Sequence, residues 1–307
     1  NWHHSYNMGV KQINDKAFVI RHADGRESYL PVLLAGEKWI DRKEQLKWEL
    51  DSHGYQLTDS RGYQYRFNGL ENKFGYRMVS SISTRDGFSV ILKYASAGRL
   101  VEIISSRGEH IKVDTDDAGR VTCVSIKQDN EEVKLVRYRY DEQGNMIETT
   151  DALNVSKYFF YKEDHLLIQL INQGGMSFHW EYEGNGENAR CIHTWGDGGV
   201  MEYYIHYGKG KTCIRNGENA VTEYFYGSDK LIYKIIDANG GITRYRYNAS
   251  EELEVIVNPE GYTRKTIYND FGFPVRITDE NGEDTWLQYD NNHNLTSLRT
   301  PEGRQLT

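Results

Sequence analysis

An all-β fold of tandem antiparallel hairpins is what this 307-residue sequence predicts. Three observations carry that expectation: a heavy tyrosine loading, a fixed 21-residue recurrence, and turns that close on glycine. The chain holds 23 Tyr, 10 Phe and 6 Trp against 5 Met and 4 Pro. Aromatic and β-branched side chains fit a pleated, half-buried surface better than a helix. Its 29 Gly suit a protein with many tight turns, each needing a residue that tolerates positive φ. Size sets no limit, because a chain this long can bury roughly three quarters of its unfolded surface.

The recurrence is the strongest of the three. Tyr226, Tyr247, Tyr268 and Tyr289 stand 21 residues apart, and so do Gly240, Gly261, Gly282 and Gly303. The same step joins Tyr140, Tyr161 and Tyr182, and a second register joins Tyr203, Tyr224 and Tyr245. Each unit contains two short alternating runs, such as Arg244 to Tyr247 and Leu253 to Val257, the pattern of strands with one face buried. Two strands of about 6 residues and two turns of about 4 fill one period, so the unit is a β-hairpin.

Turn chemistry points the same way. In Asp141-Glu-Gln-Gly144 and Asp117-Ala-Gly119 an acidic residue opens the turn and Gly closes it. A second turn class is read at Asp237 to Gly240, Asn258 to Gly261 and Asp279 to Gly282, so two types alternate along the array. Residues 1–84 are a less regular opening segment and 85–307 the repeat array, with no linker to mark a domain boundary. The stretch Ile40 to Leu50 fits either a helix or a strand pair with polar faces.

Composition also excludes function classes. The net charge is −8 with both signs interspersed, whereas a nucleic-acid binder needs a basic stripe to replace phosphate counterions. No apolar run approaches the ~18 residues that cross a bilayer. The first residues, Asn1 to Tyr6, have neither the basic region nor the apolar core of a signal peptide, and the chain reads as a piece of a longer protein. Cys123, Cys191 and Cys213 are odd in number and far apart, so they read as reduced thiols in strand positions. His3-His4 is adjacent, while His179, His193 and His206 fall in separate units. Asp114-Thr-Asp116-Asp117 lacks the ligand spacing of a calcium loop. There is no G-x-S-x-G elbow, and Gly208-Lys-Gly-Lys211 lacks the spacing of a phosphate loop. The acidic residues occupy turn slots or solvent-facing strand positions, so no carboxylate pair stands out for catalysis. No catalytic residue, cofactor or metal is expected, and the chain reads as non-enzymatic.

The phrase Tyr138-Arg-Tyr140-Asp141-Glu-Gln-Gly144-Asn145-Met-Ile147 resembles the YD repeat of Rhs proteins, Tyr-Asp-x-x-Gly-Asn/Arg-Leu. Tyr94 to Leu100, Asp117 to Val121, Tyr268 to Gly272 and Tyr289-Asp290 to Leu295 are partial copies, and Trp2 to Tyr6 with Asp24-Gly-Arg26 and Pro31 resembles the start of the Rhs core. Departures are plain. Tyr247 and Tyr268 are followed by Asn, Tyr226 by Gly, and His293 stands where Gly is usual. The resemblance implies a curved, spiralling sheet that forms part of a hollow shell around a C-terminal toxin. Its partners would be the rest of the shell, the toxin, and secretion-system components or chaperones, in a bacterial effector that is exported. The self-cleaving aspartyl site and the toxin of such proteins have no counterpart in these residues.

Two other readings share the composition. Tyrosines and tryptophans could stack on sugars in a carbohydrate-binding surface protein, and 42 residues is also about one propeller blade. An open ribbon of hairpins would further expose strand edges and associate with itself at high concentration.

Overall fold

The computed structural model describes residues 4–128, 131–290 and 293–306, and its regular structure is almost entirely strand. Trp2 and His3 of the opening motif, and Asn291 and Asn292 of the last partial repeat, lie outside the described residues. The chain packs as two compact units, Asn1–Asp41 with Gln45–Ser177, and Arg42–Glu44 with Phe178–Thr307.

The first unit contains β1 (Gly9–Asn14), β2 (Ala17–Arg21), β3 (Glu27–Pro31), β4 (Lys38–Asp41), β5 (Leu46–Asp51), β6 (Gly54–Thr58), β7 (Gln64–Arg66), β8 (Arg77–Met78) and β9 (Ser81–Ser83). It continues through β10 (Ser89–Ala95), β11 (Arg99–Ser105), β12 (His110–Thr115), β13 (Val121–Gln128), β14 (Glu131–Tyr140), β15 (Met146–Asp151), β16 (Ser156–Tyr161) and β17 (Leu167–Ile171). A small sheet runs in the order β3-β2-β1-β8, and a long one runs β4-β5-β6-β7-β9-β10 and then consecutively to β17. Ile20, Trp48 and Val79 are wholly buried in a shared apolar core with Leu30, Leu57 and Phe67. Trp48 stacks on Tyr55 at 4.6 Å and donates its indole N–H to the Pro31 carbonyl at 3.0 Å, which offsets the cost of burying that donor.

The stretch Ile40 to Leu50 is a strand pair, not a helix. β4 and β5 align from Lys38↔Glu49 to Asp41↔Leu46. Leu46 and Trp48 face the core while Lys47 turns to Glu49 at 3.0 Å, so the buried period is two residues.

The second unit contains β18 (Ser177–Glu183), β19 (Arg190–Gly196), β20 (Val200–Gly208), β21 (Lys211–Asn216), β22 (Val221–Tyr226), β23 (Ile232–Ile236), β24 (Ile242–Tyr247), β25 (Leu253–Val257), β26 (Thr263–Tyr268), β27 (Pro274–Thr278), β28 (Asp284–Tyr289), β29 (Leu295–Arg299) and β30 (Gln305–Leu306). Each strand pairs with the next in an unbroken antiparallel meander, where propeller blades would interrupt pairing every four strands.

The two turn classes are one loop. Asp141 donates its N–H to the Asn145 carbonyl and Gly144 donates to the Asp141 carbonyl. Asp237, Gly241 and Gly240 repeat that pattern at 2.9 and 3.0 Å. In the third turn the opening residue is Asp116 rather than Asp117, because Gly119 donates to the Asp116 carbonyl. What separates the classes is a bulge. Tyr268 pairs with Pro274 while Ile267 pairs with Arg276, which leaves Val275 as an extra residue. The same happens beside Tyr140, Tyr161, Tyr226, Tyr247 and Tyr289, and not at the Asp237, Asn258 or Asp279 turns. Six-residue strands therefore alternate with five-residue strands, and with two five-residue loops they make the odd 21-residue period.

The bulge also staggers the units. Lys265 lies between Val255 and Thr278, whereas the residue one period beyond Val255 is Arg276. Arg244 lies between Lys234 and Val257, two residues past Val255, and Trp286 repeats the offset. An advance of two residues for every two strands tilts the strands by about 35° from the perpendicular to the direction in which units accumulate, given ~3.3 Å per residue and ~4.8 Å between strands.

Each loop needs left-handed backbone at its fourth residue. Gly240 supplies it at φ 84°, but Lys230, Glu251 and His293 occupy the same slot at φ 67°, 63° and 64°. Side chains in that region cost about 1 kcal/mol. Lys230→Gly is therefore expected to raise stability by about 1 kcal/mol in urea unfolding, and Gly240→Ala to lower it by a similar amount. A Cβ at Gly240 meets no neighbour within 4 Å, so only backbone strain acts there. Unchanged midpoints for both variants would refute the assignment of strain.

Candidate functional site

The recurring feature of the array is a tyrosine clasp. Tyr247 ends β24, and its hydroxyl donates to the Ile232 carbonyl at 3.0 Å. Tyr268 donates to Leu253 at 2.8 Å and Tyr289 to Pro274 at 2.9 Å. The acceptors are not arbitrary. Ile232, Leu253 and Pro274 are the residues paired with Tyr226, Tyr247 and Tyr268 beside the bulge. Each hydroxyl thus reaches back across a strand to the bulge of the unit before it. In the first unit Tyr161 makes the same bond to Met146 at 2.9 Å, and Met146 is the partner of Tyr140. Tyr140 reaches Val121 at 2.8 Å, and Tyr226 reaches Gly208 at 3.3 Å. Tyr138 lies in β14 opposite Thr149, and Tyr182 in β18 opposite Cys191.

The residue after Tyr140, Tyr247, Tyr268 and Tyr289 locks the turn. The Asp141 carboxylate accepts the Asn145 backbone and side-chain N–H groups, both at 2.8 Å. Asp290 holds Asn294 the same way at 2.8 and 2.9 Å. Asn248 and Asn269 accept two backbone N–H groups each, so Asn substitutes for Asp without loss of the turn bonds. Gly144, Gly261, Gly272, Gly282 and Gly303 close their loops at φ between 81° and 89°.

Burial holds the phenols of Tyr140, Tyr247, Tyr268 and Tyr289 above the ordinary tyrosine range, and does the same most strongly at Tyr94. The hydroxyls stay protonated, and so remain donors, at any physiological pH. Asp141 is held below the carboxylate range, first by its bond from the Asn145 side chain.

Two clasps escape the period. Tyr207 donates to the Cys191 carbonyl at 2.9 Å, and Tyr94 donates to Val79 at 2.6 Å. Beyond Tyr207 the chain reverses at Gly208↔Lys211, a two-residue turn that removes residues from the count. The signal for finding these residues was the turn that follows each tyrosine, not the spacing between tyrosines.

His179 and His193 are brought together through Trp195, on which they stack at 5.0 and 4.2 Å. The two ring nitrogens of His193 lie 3.3 Å from Glu181 and 3.1 Å from Glu202. This is a cross-strand polar network rather than a ligand set. Among the described residues, no group of three His, Cys, Asp or Glu side chains is placed to hold a metal ion. Cys123, Cys191 and Cys213 are half-buried free thiols. No helix among the described residues is long and apolar enough to cross a membrane.

Hairpins tied in series by tyrosine and capped by Asp or Asn define a tandem structural repeat of the YD kind. The teneurin YD-shell family profile matches residues 52–224, more than half of the chain, and the RHS repeat profile matches residues 268–305. The chain belongs to the teneurin YD-shell family. It is similar to double-stranded DNA deaminase toxin A of Burkholderia cenocepacia (strain H111), at 26% identity over 189 residues, which cover 60% of this chain and 13% of that protein. Among solved structures, the TcdB2–TccC3–Cdc42 crystal structure aligns with 97% of this chain and 21% of its own, at 11% identity and a TM-score of 0.41. A Tc holotoxin pore of Photorhabdus luminescens carrying a TccC3 mutation aligns with 99% of this chain and 20% of its own, at 10% identity and a TM-score of 0.35. The chain spans a small part of each of these proteins.

Two outcomes follow for the clasp. Tyr268→Phe removes the donor to the Leu253 carbonyl, an expected loss of about 1 kcal/mol by denaturant unfolding. No loss would show that the hydroxyl contributes nothing. Because burial raises the phenol pKa above its unfolded value, the clasp contribution is complete below about pH 10 and declines as pH rises through the folded value. Stability followed from pH 7 to 12 should therefore stay level until about pH 10 and then fall, while a decline already under way at pH 8.5 would contradict the clasp.

Proposed function

We propose that this chain is a stretch of wall in a β-shell that encloses a C-terminal toxin within a larger exported effector of bacterial competition or insecticidal type. The observation that carries the reading is the YD-shell family match over residues 52–224. The relation to a deaminase toxin of Burkholderia cenocepacia supports the toxin context. The repeat positions, from Tyr138 and Tyr140 through Asp290 and Gly303, serve the wall and carry no chemistry of their own. Catalysis belongs to the cargo. The partners are the remaining shell segments and the toxin, with secretion-system components or chaperones engaging the full effector.

The geometry suits such a role. In the second unit, Val255 is the one large apolar side chain among the described residues that is buried, so this unit is a single-layer sheet with two half-open faces. A wall of this kind obtains its rigidity from clasps and caps rather than from a thick core, and can lie between solvent and cargo.

Protease protection tests the proposal. In the full-length parent protein, proteinase K should spare a tag placed near the C-terminus while the shell is intact. It should digest the tag once Tyr247, Tyr268 and Tyr289 are all changed to Phe. Equal digestion of the tag in both proteins would overturn the enclosure reading.

A further inference from the structure

The second unit sorts its charges by location. Cross-strand partners share a sheet face, which puts Lys234, Arg244, Arg246, Lys265, Arg276 and Arg299 on one side of β23–β29. The opposite side carries Tyr245, Ile256, Thr266, Ile277, Leu287 and Leu298, with Arg264 as its charged exception. Most acidic residues of these units gather in the loops, at positions such as Asp237, Glu260 and Asp279, while Glu254 and Asp284 lie in strands. A basic face on a protein of net charge −8 is therefore a matter of placement, not of composition.

One feature of that face is unfavourable until an anion binds it, and a second leaves its cations available. Lys234 and Arg244 stand directly opposite one another, and like charges so placed destabilise a sheet. Arg244, Lys265 and Arg299 are exposed, and among the described residues none of them forms an ion pair. By contrast, Arg246 pairs with Glu254 at 3.2 Å and Arg276 with Asp284 at 2.7 Å.

We propose that this basic face of β23–β29 is a docking surface for an acidic polypeptide segment in extended form. Trp286 and Ile267 are exposed on the same face and supply apolar contact between the cations. Bases on alternate strands lie about 10 Å apart, the reach of three residues of extended chain, so carboxylates spaced along a peptide can meet successive rows. A continuous phosphate backbone fits less well, since Glu254 and Asp284 interrupt the face and the acidic loops border it. The inference rests on the wall reading, since it takes the docked segment to belong to the enclosed chain, and it assigns this face to the inside.

Fluorescein-labelled poly-L-glutamate of about 20 residues, titrated into the full chain and followed by anisotropy, tests the assignment. Binding should be saturable and should weaken with added salt as the charges are screened. The double variant Arg244→Gln/Lys265→Gln should lose about tenfold in affinity, and Arg264→Gln on the opposite face should lose none. Thermal melts keep the comparison honest: Arg244→Gln relieves the repulsion with Lys234, so its melting temperature should not fall. Absence of binding, equal losses in both variants, or stronger binding of single-stranded DNA of matching charge would each overturn the proposal. A negative result here leaves cargo protection by the shell untouched, so the two readings fail separately.

Discussion

A hydroxyl donated across a strand to the carbonyl beside the previous bulge is the interaction on which the array depends. A bulge leaves a carbonyl out of the regular ladder, and an orphaned carbonyl in a half-buried sheet costs about as much as a lost hydrogen bond. Tyrosine is the side chain that resolves this. Its ring covers apolar surface along the way, and its tip still delivers a donor. Because Tyr268 reaches the carbonyl of Leu253, and Leu253 is the partner of Tyr247, its clasp bonds to the site beside the preceding tyrosine, as do those of Tyr161, Tyr247 and Tyr289. Bulge, tyrosine and stagger form one linked device, and the odd period is its trace in the sequence.

The single-layer construction of the second unit explains the remaining chemistry. Without a thick core, each loop must satisfy its own backbone, and the Asp and Asn caps do so. Those caps draw acidic residues into the loops and leave strand faces free to specialise. One face is tyrosine, threonine and aliphatic; the other is arginine and lysine. The first unit solves the same problem differently, by laying a small sheet over a long one and burying Trp48 between aromatic neighbours. Nearest-neighbour stacking of this sort makes stability approximately additive over units.

The fold class was legible because Tyr and Gly recur at one interval, which only a tandem unit produces. The hairpin unit and its Gly-closed loops were legible for the same reason. The bulge was not, since the loops at Asp141 and Asp237 share one hydrogen-bond pattern and the difference lies in an unpaired strand residue such as Val275. Asp116 and Asp117 both satisfy the spacing before Gly119, and only the Gly119 N–H bond to the Asp116 carbonyl separates them. Ile40 to Leu50 stayed ambiguous because its charged residues fit two periods, and burial of Leu46 and Trp48 decides between them. Tyr207 was missed because a short turn took it out of phase, and the approach of His179 to His193 was missed because register, not sequence separation, sets which side chains meet.

The most direct test of the clasp as the determinant of register is a set of cross-strand contacts measured by NMR on deuterated protein. Lys265 should show contacts to Val255 on one side and to Thr278 on the other. With Tyr247, Tyr268 and Tyr289 all replaced by Phe, those contacts should shift by a residue or broaden while the Asp and Asn loops persist. Retention of the native pairing at full strength without the three hydroxyls would contradict the account.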